Sequence, residues 1–337
     1  MPPPLDPRDV YAADRPGALS PAVRSVPARV YVPNSQDNTV DVIDPTTFSV
    51  VDHFPVGRLP QHIVASYDLK TLWVTNDLSN SRTPIDPATG KPGTPVAVDD
   101  PYNLYFTPDG KYAVVVAEAL GRLDFRDPHT MALAHSLAVP CKGVDHMDFS
   151  ADGTYLIASC EFAGKVIKVD VARQEVVGSL ELRKGGMPQD VRLSPDGKVF
   201  YVADMAAGGL FEVDGEALRV VGFLPTGKGT HGLSVSRDSK YLYAANRGEG
   251  SVSVVDLARR SVVATWRIPG GGSPDMGGLS TDGATLWLSG RYNSEVYAFD
   301  TSSGHLRARV RVGKQPHGLS FSPQPGRYSL GHTGVFR

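Results

Sequence analysis

Imidazole and carboxylate side chains recur at one position of this sequence, just before a serine or threonine that leads into a turn. Seven residue pairs lie four or five residues before that serine or threonine: Gln61-His62, Tyr102-Asn103, Asp145-His146, Gln189-Asp190, His231-Gly232, Asp275-Met276 and His317-Gly318. These fourteen positions hold four of the nine histidines, more than uniform placement would put there. Imidazoles bind transition metals and exchange protons near neutral pH. We therefore expect a shared site if the fold brings these pairs together.

The four histidines of these pairs are the candidate metal ligands: His62, His146, His231 and His317. His146, His231 and Asp190 are also the candidate acid–base groups. Three carboxylates could orient the rings or complete a ligand set: Asp145, Asp190 and Asp275. Copper is the first metal expected, because imidazole-rich sites bind it tightly among divalent ions, with zinc or iron next. The alternative is structural: each histidine hydrogen-bonds a neighbouring repeat, and the one-residue offset between pairs turns some rings away.

A second set of charged residues follows a strand in five of the copies: Glu118, Glu161, Asp204, Arg247 and Arg291. The carboxylates belong to the earlier copies and the arginines to adjacent later ones. Arginine grips carboxylate or phosphate groups with two parallel hydrogen bonds, so these residues are candidate ligand-binding groups. Solvated turn charges and ion pairs between repeats are the alternative interpretation.

The elements that must position these residues follow from a sequence repeat. A strand, a turn like Ser-Pro-Asp-Gly and a second strand recur seven times, with serine or threonine landmarks spaced 41 to 44 residues apart: Ser66, Thr107, Ser150, Ser194, Ser236, Ser280 and Ser322. Two further strands fit between successive hairpins, and no amphipathic helical pattern competes. A period in the low forties with an Asp-Gly turn is typical of propeller blades. The sequence predicts an all-β, seven-bladed β-propeller of four-stranded antiparallel blades.

The two ends of the chain are expected to share one blade. The last copy lacks its outer strands, while residues 30–34, 39–43 and 49–54 supply three strands before the first full copy. Closing the ring this way would hide sheet edges. The expected organisation is an extended lead-in over 1–27, a propeller over 28–325 and a tail over 326–337. His332 in that tail is either an additional ligand or lid over the site, or part of a disordered or surface-bound segment.

Four short segments resemble the YVTN family of β-propellers: VYVPN, LWVTN, FYVAD and LYAAN. The resemblance covers residues 28–325 and implies a seven-bladed ring. Rings of this kind include scaffold proteins, lactonases, haem domains and copper enzymes, so the fold leaves the activity open. The resemblance also implies an extracellular or periplasmic location, although the chain shows no signal peptide.

Composition and charge exclude several classes. The formal net charge is -2, which offers no basic surface for a nucleic-acid partner. No apolar run is long enough to span a bilayer, and GGGSPDMGG opens no helix, so no membrane-spanning segment and no nucleotide cofactor are expected. Cys141 and Cys160 could form a disulfide, remain inert thiols or bind a metal. A monomer is expected.

The leading functional hypothesis is a propeller that binds a transition metal or small anionic ligand at the mouth of its channel, with a metal-dependent enzyme as one outcome. A lactonase-like hydrolase is one alternative, in which a divalent ion activates water. A non-catalytic protein-interaction scaffold that uses an outer face is the other.

Overall fold

Each copy of the repeat folds into one antiparallel sheet, and the seven sheets form a propeller, as the sequence predicts. The computed structural model describes residues 2–337. In chain order the strands of the first three blades are β1 (Arg29–Asn34), β2 (Thr39–Asp44), β3 (Ser49–Pro55), β4 (Pro60–Ala65), β5 (Leu72–Asn76), β6 (Ser81–Asp86), β7 (Lys91–Pro92), β8 (Val96–Ala97), β9 (Asn103–Phe106), β10 (Ala113–Ala117), β11 (Arg122–Arg126) and β12 (Leu133–Ala138).

The remaining four blades are regular. Their strands are β13 (Val144–Phe149), β14 (Tyr155–Cys160), β15 (Lys165–Asp170), β16 (Glu175–Glu181), β17 (Pro188–Leu193), β18 (Phe200–Asp204), β19 (Gly209–Asp214), β20 (Arg219–Pro225), β21 (Thr230–Val235), β22 (Tyr241–Asn246), β23 (Ser251–Asp256), β24 (Ser261–Arg267), β25 (Pro274–Leu279), β26 (Thr285–Gly290), β27 (Glu295–Asp300) and β28 (Leu306–Arg311). The second blade departs from this plan, because its outer edge is split into β7 and β8, which both pair with β6.

Burial explains the composition of the strands. The innermost strands β13, β17 and β25 are buried along their whole length, since neighbouring blades cover both faces. The outermost strand β16 instead alternates between exposed and half-buried residues. A continuously buried strand and a strand with period-two alternation therefore both occur within one blade.

The landmark serine or threonine closes the hairpin turn in the first six copies of the repeat. Ser194 donates a hydrogen bond from its hydroxyl to Asp196 (2.6 Å) and accepts one from the backbone N–H of Val199 (3.1 Å). Gly197 supplies the left-handed backbone that the turn needs, with φ +71°. This local chemistry is why the motif marks the blades so regularly.

The ring closes through strands from both ends of the chain, as expected. β29 (Ser320–Ser322) pairs antiparallel with β1, with Phe321 opposite Val30, and becomes the innermost strand of the first blade. The lead-in wraps the surface: the Tyr11 hydroxyl donates to the Leu193 carbonyl (2.8 Å), and the Val10 amide donates to the Pro195 carbonyl (2.8 Å).

The tail folds back into the ring. β30 (Ser329–Gly331) and β31 (Val335–Phe336) form a hairpin, and β30 pairs with the innermost strand β9. Arg337 donates to the Asp148 carboxylate (3.2 Å) and to the Phe149 carbonyl (2.8 Å). The tail is therefore buried, and the disordered or surface-bound alternative is not what the structure contains.

Two further features bear on the sequence expectations. Cys141 and Cys160 form a disulfide between the segment before β13 and the end of β14, which selects one of the three possibilities for these residues. Helical structure within residues 2–337 is limited to two 3-10 turns, Asp77–Ser79 and Glu161–Ala163. Neither turn approaches the length of a membrane-crossing helix, and the described chain contains no helix that would qualify.

Candidate metal centre on the propeller axis

Each recurring pair in five of the innermost strands occupies a β-bulge. The register shifts between Pro60 and Ile63 in β4, and the same shift occurs in β13, β17, β21 and β25. A bulge sets two residues against one on the partner strand and re-aims their side chains. His62 is the second residue of its pair and His231 the first, yet both rings reach the axis. The offset between pairs therefore does not turn these rings away.

Hydroxyl groups on the second strands hold two of these bulges. Thr75 Oγ1 accepts a hydrogen bond from the His62 amide (3.0 Å) and donates to the Tyr102 carbonyl (3.0 Å). Ser159 Oγ accepts from the His146 amide (3.0 Å) and donates to the His146 carbonyl (3.1 Å). The sequence analysis missed these positioning residues. Their signal is the penultimate position of the second strand, in LWVTN and YLIASC.

Five histidines meet on the propeller axis, and we refer to them as the axial cluster: His62, His146, His231, His317 and His332. Ring centroids of neighbouring members lie 4.7 to 6.3 Å apart. Each residue is at most 3% exposed. The four histidines predicted as ligands are thus brought together. The other four histidines are exposed: His53, His129, His135 and His305.

His332 joins the cluster because it lies in the tail hairpin, whose strand β30 pairs with the innermost strand β9. The preceding Gly331 has φ +99°, and a Cβ there would lie 2.4 Å from the Leu104 carbonyl oxygen, so only glycine fits. The His332 amide donates to that same carbonyl (2.9 Å). His332 itself has φ +52°, an uncommon left-handed conformation at the tip of the hairpin. Of the two alternatives for His332, the structure supports a place in the site.

Three of the rings form a group whose ligand atoms lie within 4.8 Å of one another: His62, His146 and His332. His62 Nδ1 donates to the Tyr102 carbonyl (3.0 Å). The side-chain amide of Asn103 donates from Nδ2 to Nδ1 of His146 (3.0 Å) and of His332 (3.1 Å). Each Nδ1 thus has a partner, and each Nε2 is buried without a hydrogen-bond partner among residues 2–337.

Carboxylates stand beside two of these Nε2 atoms. Asp145 Oδ1 lies 3.1 Å from His146 Nε2, and Asp190 Oδ2 lies 3.4 Å from His332 Nε2. Neither contact counts as a hydrogen bond, since both Nε2 atoms lack such partners within the described chain. Buried nitrogen and oxygen atoms that lie close together without hydrogen bonds between them are expected where a ligand binds.

A second group contains His231, Asp275 and His317, whose ligand atoms also lie within 4.8 Å of one another. Asp275 Oδ1 is 2.9 Å from His231 Nδ1, and Asp275 Oδ2 is 3.6 Å from His317 Nε2. Arg247 donates to Asp275 Oδ1 from Nε (3.1 Å) and from Nη2 (2.5 Å). Burial acts to raise the pKa of Asp275, but the Arg247 charge together with His231 and His317 outweighs it and holds the pKa well below its usual range.

The imidazoles are neutral at physiological pH. Burial is the largest cause and lowers the pKa of His62 to about 3 and that of His231 to about 4. It lowers the pKa of His146 and His317 well below the usual value, and that of His332 as well. A neutral imidazole is the form that binds a metal ion, because a proton and a metal compete for the same lone pair.

Asp190 is positioned to orient His332. Burial acts to raise its pKa, but the charge of Arg192 and the contacts with His332 prevail and lower the pKa to about 2. Its Oδ2 also accepts a hydrogen bond from the Leu233 amide (2.8 Å). A carboxylate so firmly ionised is a weak base, so the geometry fits the orienting role better than the acid–base role.

Three carboxyl groups near the cluster have raised pKa values: Glu118, Glu161 and Asp145. Burial, with the charge of Glu161, raises the pKa of Glu118 to about 7, and burial also raises the pKa of Glu161. Burial, followed by these two charges, raises the pKa of Asp145 well above its usual range. Neither carboxylate oxygen of Asp145 has a hydrogen-bond partner in the described part of the chain.

The other residues of the predicted ligand-binding set have different surroundings. Arg247 joins the second group through Asp275, as above. Arg291 donates to the Ser35 hydroxyl (3.2 Å). Asp204 accepts hydrogen bonds from the backbone amides of Met187 and Ala207, so its carboxylate serves the turn in which it lies. A ligand-binding role for these residues stays a prediction.

Fold and cluster together define a seven-bladed propeller with buried imidazoles on its axis. The chain belongs to the YNCE-like beta-propeller family, whose model matches residues 12–324. Among curated proteins it is similar to Antigen Lp49 of Leptospira interrogans, at 28% identity over 184 residues, 47% of this chain and 39% of Lp49. It is also similar to a 6-phosphogluconolactonase of Erwinia tasmaniensis, at 24% identity over 231 residues, 61% of this chain and 69% of that enzyme.

Solved structures show the same fold at low identity. Kuenenia stuttgartiensis hydrazine synthase has a TM-score of 0.67 at 21% identity, covering 89% of this chain and 96% of that one. Dihydro-heme d1 dehydrogenase NirN in complex with DHE has a TM-score of 0.67 at 18% identity, covering 95% and 78%. A putative 6-phosphogluconolactonase from Bacteroides fragilis has a TM-score of 0.69 at 18% identity, covering 89% and 99%. Identities this low establish the fold alone.

Proposed function

We propose that this protein binds a transition metal ion on the propeller axis through His62, His146 and His332. One observation carries the proposal: three buried histidines from different parts of the chain form one compact group, and the Nε2 atom of each lacks a hydrogen-bond partner among residues 2–337. A buried polar atom without a partner costs about 1–3 kcal/mol, so three together call for a ligand that satisfies them.

The donor set favours copper, with zinc or iron next. Nitrogen ligands of this kind follow the Irving–Williams order, in which copper binds most tightly among the divalent ions of the first row. Hydrogen bonds at each Nδ1 fix the ring orientations. His62 donates from Nδ1, as metal-bound histidines do to their outer partners, whereas Nδ1 of His146 and of His332 accepts, so the Nε2 proton of these two rings must leave when a metal binds. Three protein ligands leave a coordination position for water or substrate, which is the arrangement of a catalytic site. Metal-dependent catalysis is thus the proposed activity class.

Metal content tests the proposal directly. The protein is treated with chelator, loaded separately with Cu²⁺ and Zn²⁺, passed over a desalting column and measured by elemental analysis. We expect retained metal in the wild type and its loss in His62→Ala and His146→Ala. His305→Ala is the matched control, since it removes an exposed imidazole outside the cluster. Thermal melting of the chelated proteins checks that the variants fold.

Two outcomes would contradict the proposal. One is a folded wild-type protein that retains no metal after either loading. The other is metal that is lost equally in His305→Ala and in the axial variants, because that result would place binding outside the axis.

A lactonase-like hydrolase is the second candidate. It is favoured by the similarity to a 6-phosphogluconolactonase and by Arg247 near the axis, which could contact a phosphate. Hydrolysis of 6-phosphogluconolactone above the spontaneous rate would support it. A rate equal to the buffer blank, with metal-loaded protein, would remove this candidate and leave the metal site unaffected.

A further inference from the structure

The second group on the axis has the makings of a metal site in its own right. We propose that His231, Asp275 and His317 hold a second metal ion, so that the axial cluster is a two-metal centre. The proposal rests on the proposed function, since it assigns the first ion to His62, His146 and His332.

The spacing of the donor atoms is close to what one ion requires. Ligands about 2.0–2.2 Å from a tetrahedral zinc-like ion are roughly 3.3–3.6 Å from each other. Asp275 Oδ2 and His317 Nε2 are 3.6 Å apart and lie in this range, whereas Asp275 Oδ1 and His231 Nδ1 are 2.9 Å apart and would have to separate. Only small adjustments of the side chains would bring the three residues into a common coordination sphere.

Two of the donor atoms are also buried and without a hydrogen bond. These are His231 Nδ1 and Asp275 Oδ2, which have no hydrogen-bond partner within residues 2–337. On His317 the nitrogen without a partner is Nδ1, on the other side of the ring from Nε2. Each of these residues is at most 3% exposed, so water from the surface does not satisfy the atoms. A structural role alone would be expected to pair them with neighbouring polar groups.

Arg247 acts as a positioning residue for Asp275. Its two hydrogen bonds go to Oδ1, which fixes the carboxylate and leaves Oδ2 free to face the imidazoles. Outer partners of this kind hold ligating carboxylates in metal sites. The guanidinium also balances the carboxylate charge, so the group consists of two neutral rings and a neutralised acid.

The two groups are adjacent but separate. The rings of His62 and His317 are 4.7 Å apart, and these rings are where the groups meet. Gly318 makes this approach possible, because a Cβ there would lie 2.2 Å from His62 Cδ2. Two ions held by neighbouring groups would be close enough to act on one substrate.

Copper stoichiometry tests the second site. Full-length, chelator-treated protein is titrated with Cu²⁺, and bound copper per chain is measured after desalting. We expect two ions per chain in the wild type, one in His317→Gln and one in His146→Gln. His305→Ala should retain two. As a measurement that needs no variant, the electron paramagnetic resonance signal of the fully loaded wild type should integrate to fewer spins than its copper, because neighbouring Cu²⁺ ions couple.

The outcomes separate this inference from the proposed function. One ion per chain, lost in His146→Gln and kept in His317→Gln, overturns the second site and leaves the first intact. One ion that is lost in both variants means a single shared site and also overturns the inference. No bound ion in the wild type overturns both. If the variants do not fold, a spin count equal to the copper content decides against two adjacent ions.

Discussion

Burial and immediate partners set the pKa values of individual side chains in and near the axial cluster. The histidines lose their affinity for protons because burial disfavours the imidazolium form. The pKa values of the carboxyl groups shift in opposite directions. Asp275 is held ionised by Arg247, whereas Glu118 has its pKa raised to about 7 by burial and by the charge of Glu161. Glu118 therefore titrates close to neutral pH, which makes it a testable position outside the proposed ligand set.

Replacing Glu118 with glutamine is expected to stabilise the chelator-treated protein at high pH. The folded-state pKa of about 7 lies above the usual glutamate value of 4.5, so the folded protein binds more protons than the unfolded chain between these pH values. Wild-type stability contributed by this group is present below about pH 4.5 and is lost as pH rises through about 7. Urea unfolding at pH 5 and pH 8 measures the difference.

The Glu118→Gln protein should lose less stability than the wild type on going from pH 5 to pH 8. Glu216→Gln, at an exposed turn position, serves as the control and should track the wild type. Equal pH dependence in Glu118→Gln and the wild type would show that this carboxyl does not carry the effect.

At the scale of elements, the bulged inner strand is the unit that builds the site. Each bulge leaves backbone groups without ladder partners, and hydroxyls of the second strand replace them at Thr75 and Ser159. The Thr75 hydroxyl engages both His62 and the Tyr102 carbonyl, which in turn accepts from His62 Nδ1. The threonine thus acts on the site through the strand, without being a ligand itself.

We expect Thr75→Val to weaken metal binding by about 10–100-fold, the effect typical of losing an outer partner. Valine keeps the shape of the side chain but cannot accept from the His62 amide or donate to the Tyr102 carbonyl. Competition with a chelator of known affinity gives the measurement. Thr75→Ser restores the hydroxyl and should bind nearly as the wild type does. Unchanged affinity in Thr75→Val would mean that the bulge does not need this hydroxyl.

At the scale of the whole molecule, the ring depends on one strand pairing between the two ends of the chain. β29 brings Phe321, which is 3% exposed, into a cluster with Val30, Trp287 and Leu319. The same C-terminal segment continues into the tail hairpin that carries His332. The strand that closes the ring and the hairpin that completes the axial cluster therefore belong to one continuous stretch of chain.

Phe321→Ala should lower the free energy of unfolding by roughly 3–5 kcal/mol, as large-to-small changes at buried phenylalanines do. Urea unfolding followed by tryptophan fluorescence and by far-UV circular dichroism measures this loss. The unfolding midpoints from the two signals should fall by the same amount, since the closing strand joins the first blade to its neighbours. Val221→Ala on the exposed edge strand β20 should change stability by less than about 0.5 kcal/mol. If Phe321→Ala lowers the free energy of unfolding as little as Val221→Ala does, ring closure contributes little to stability.

Four features could be predicted from the order of the amino acids: the all-β class, the seven blades, the closing blade and the common level of His62, His146, His231 and His317. They follow from periodicity and turn chemistry, which are local properties repeated along the chain. Three others required the packed fold: the division of the histidines into two groups, the place of His332 in one of them and the Cys141–Cys160 disulfide. Such contacts join distant residues, as between Asn103 and His332, 229 positions apart, and they depend on how bulges and a folded-back tail pack in three dimensions.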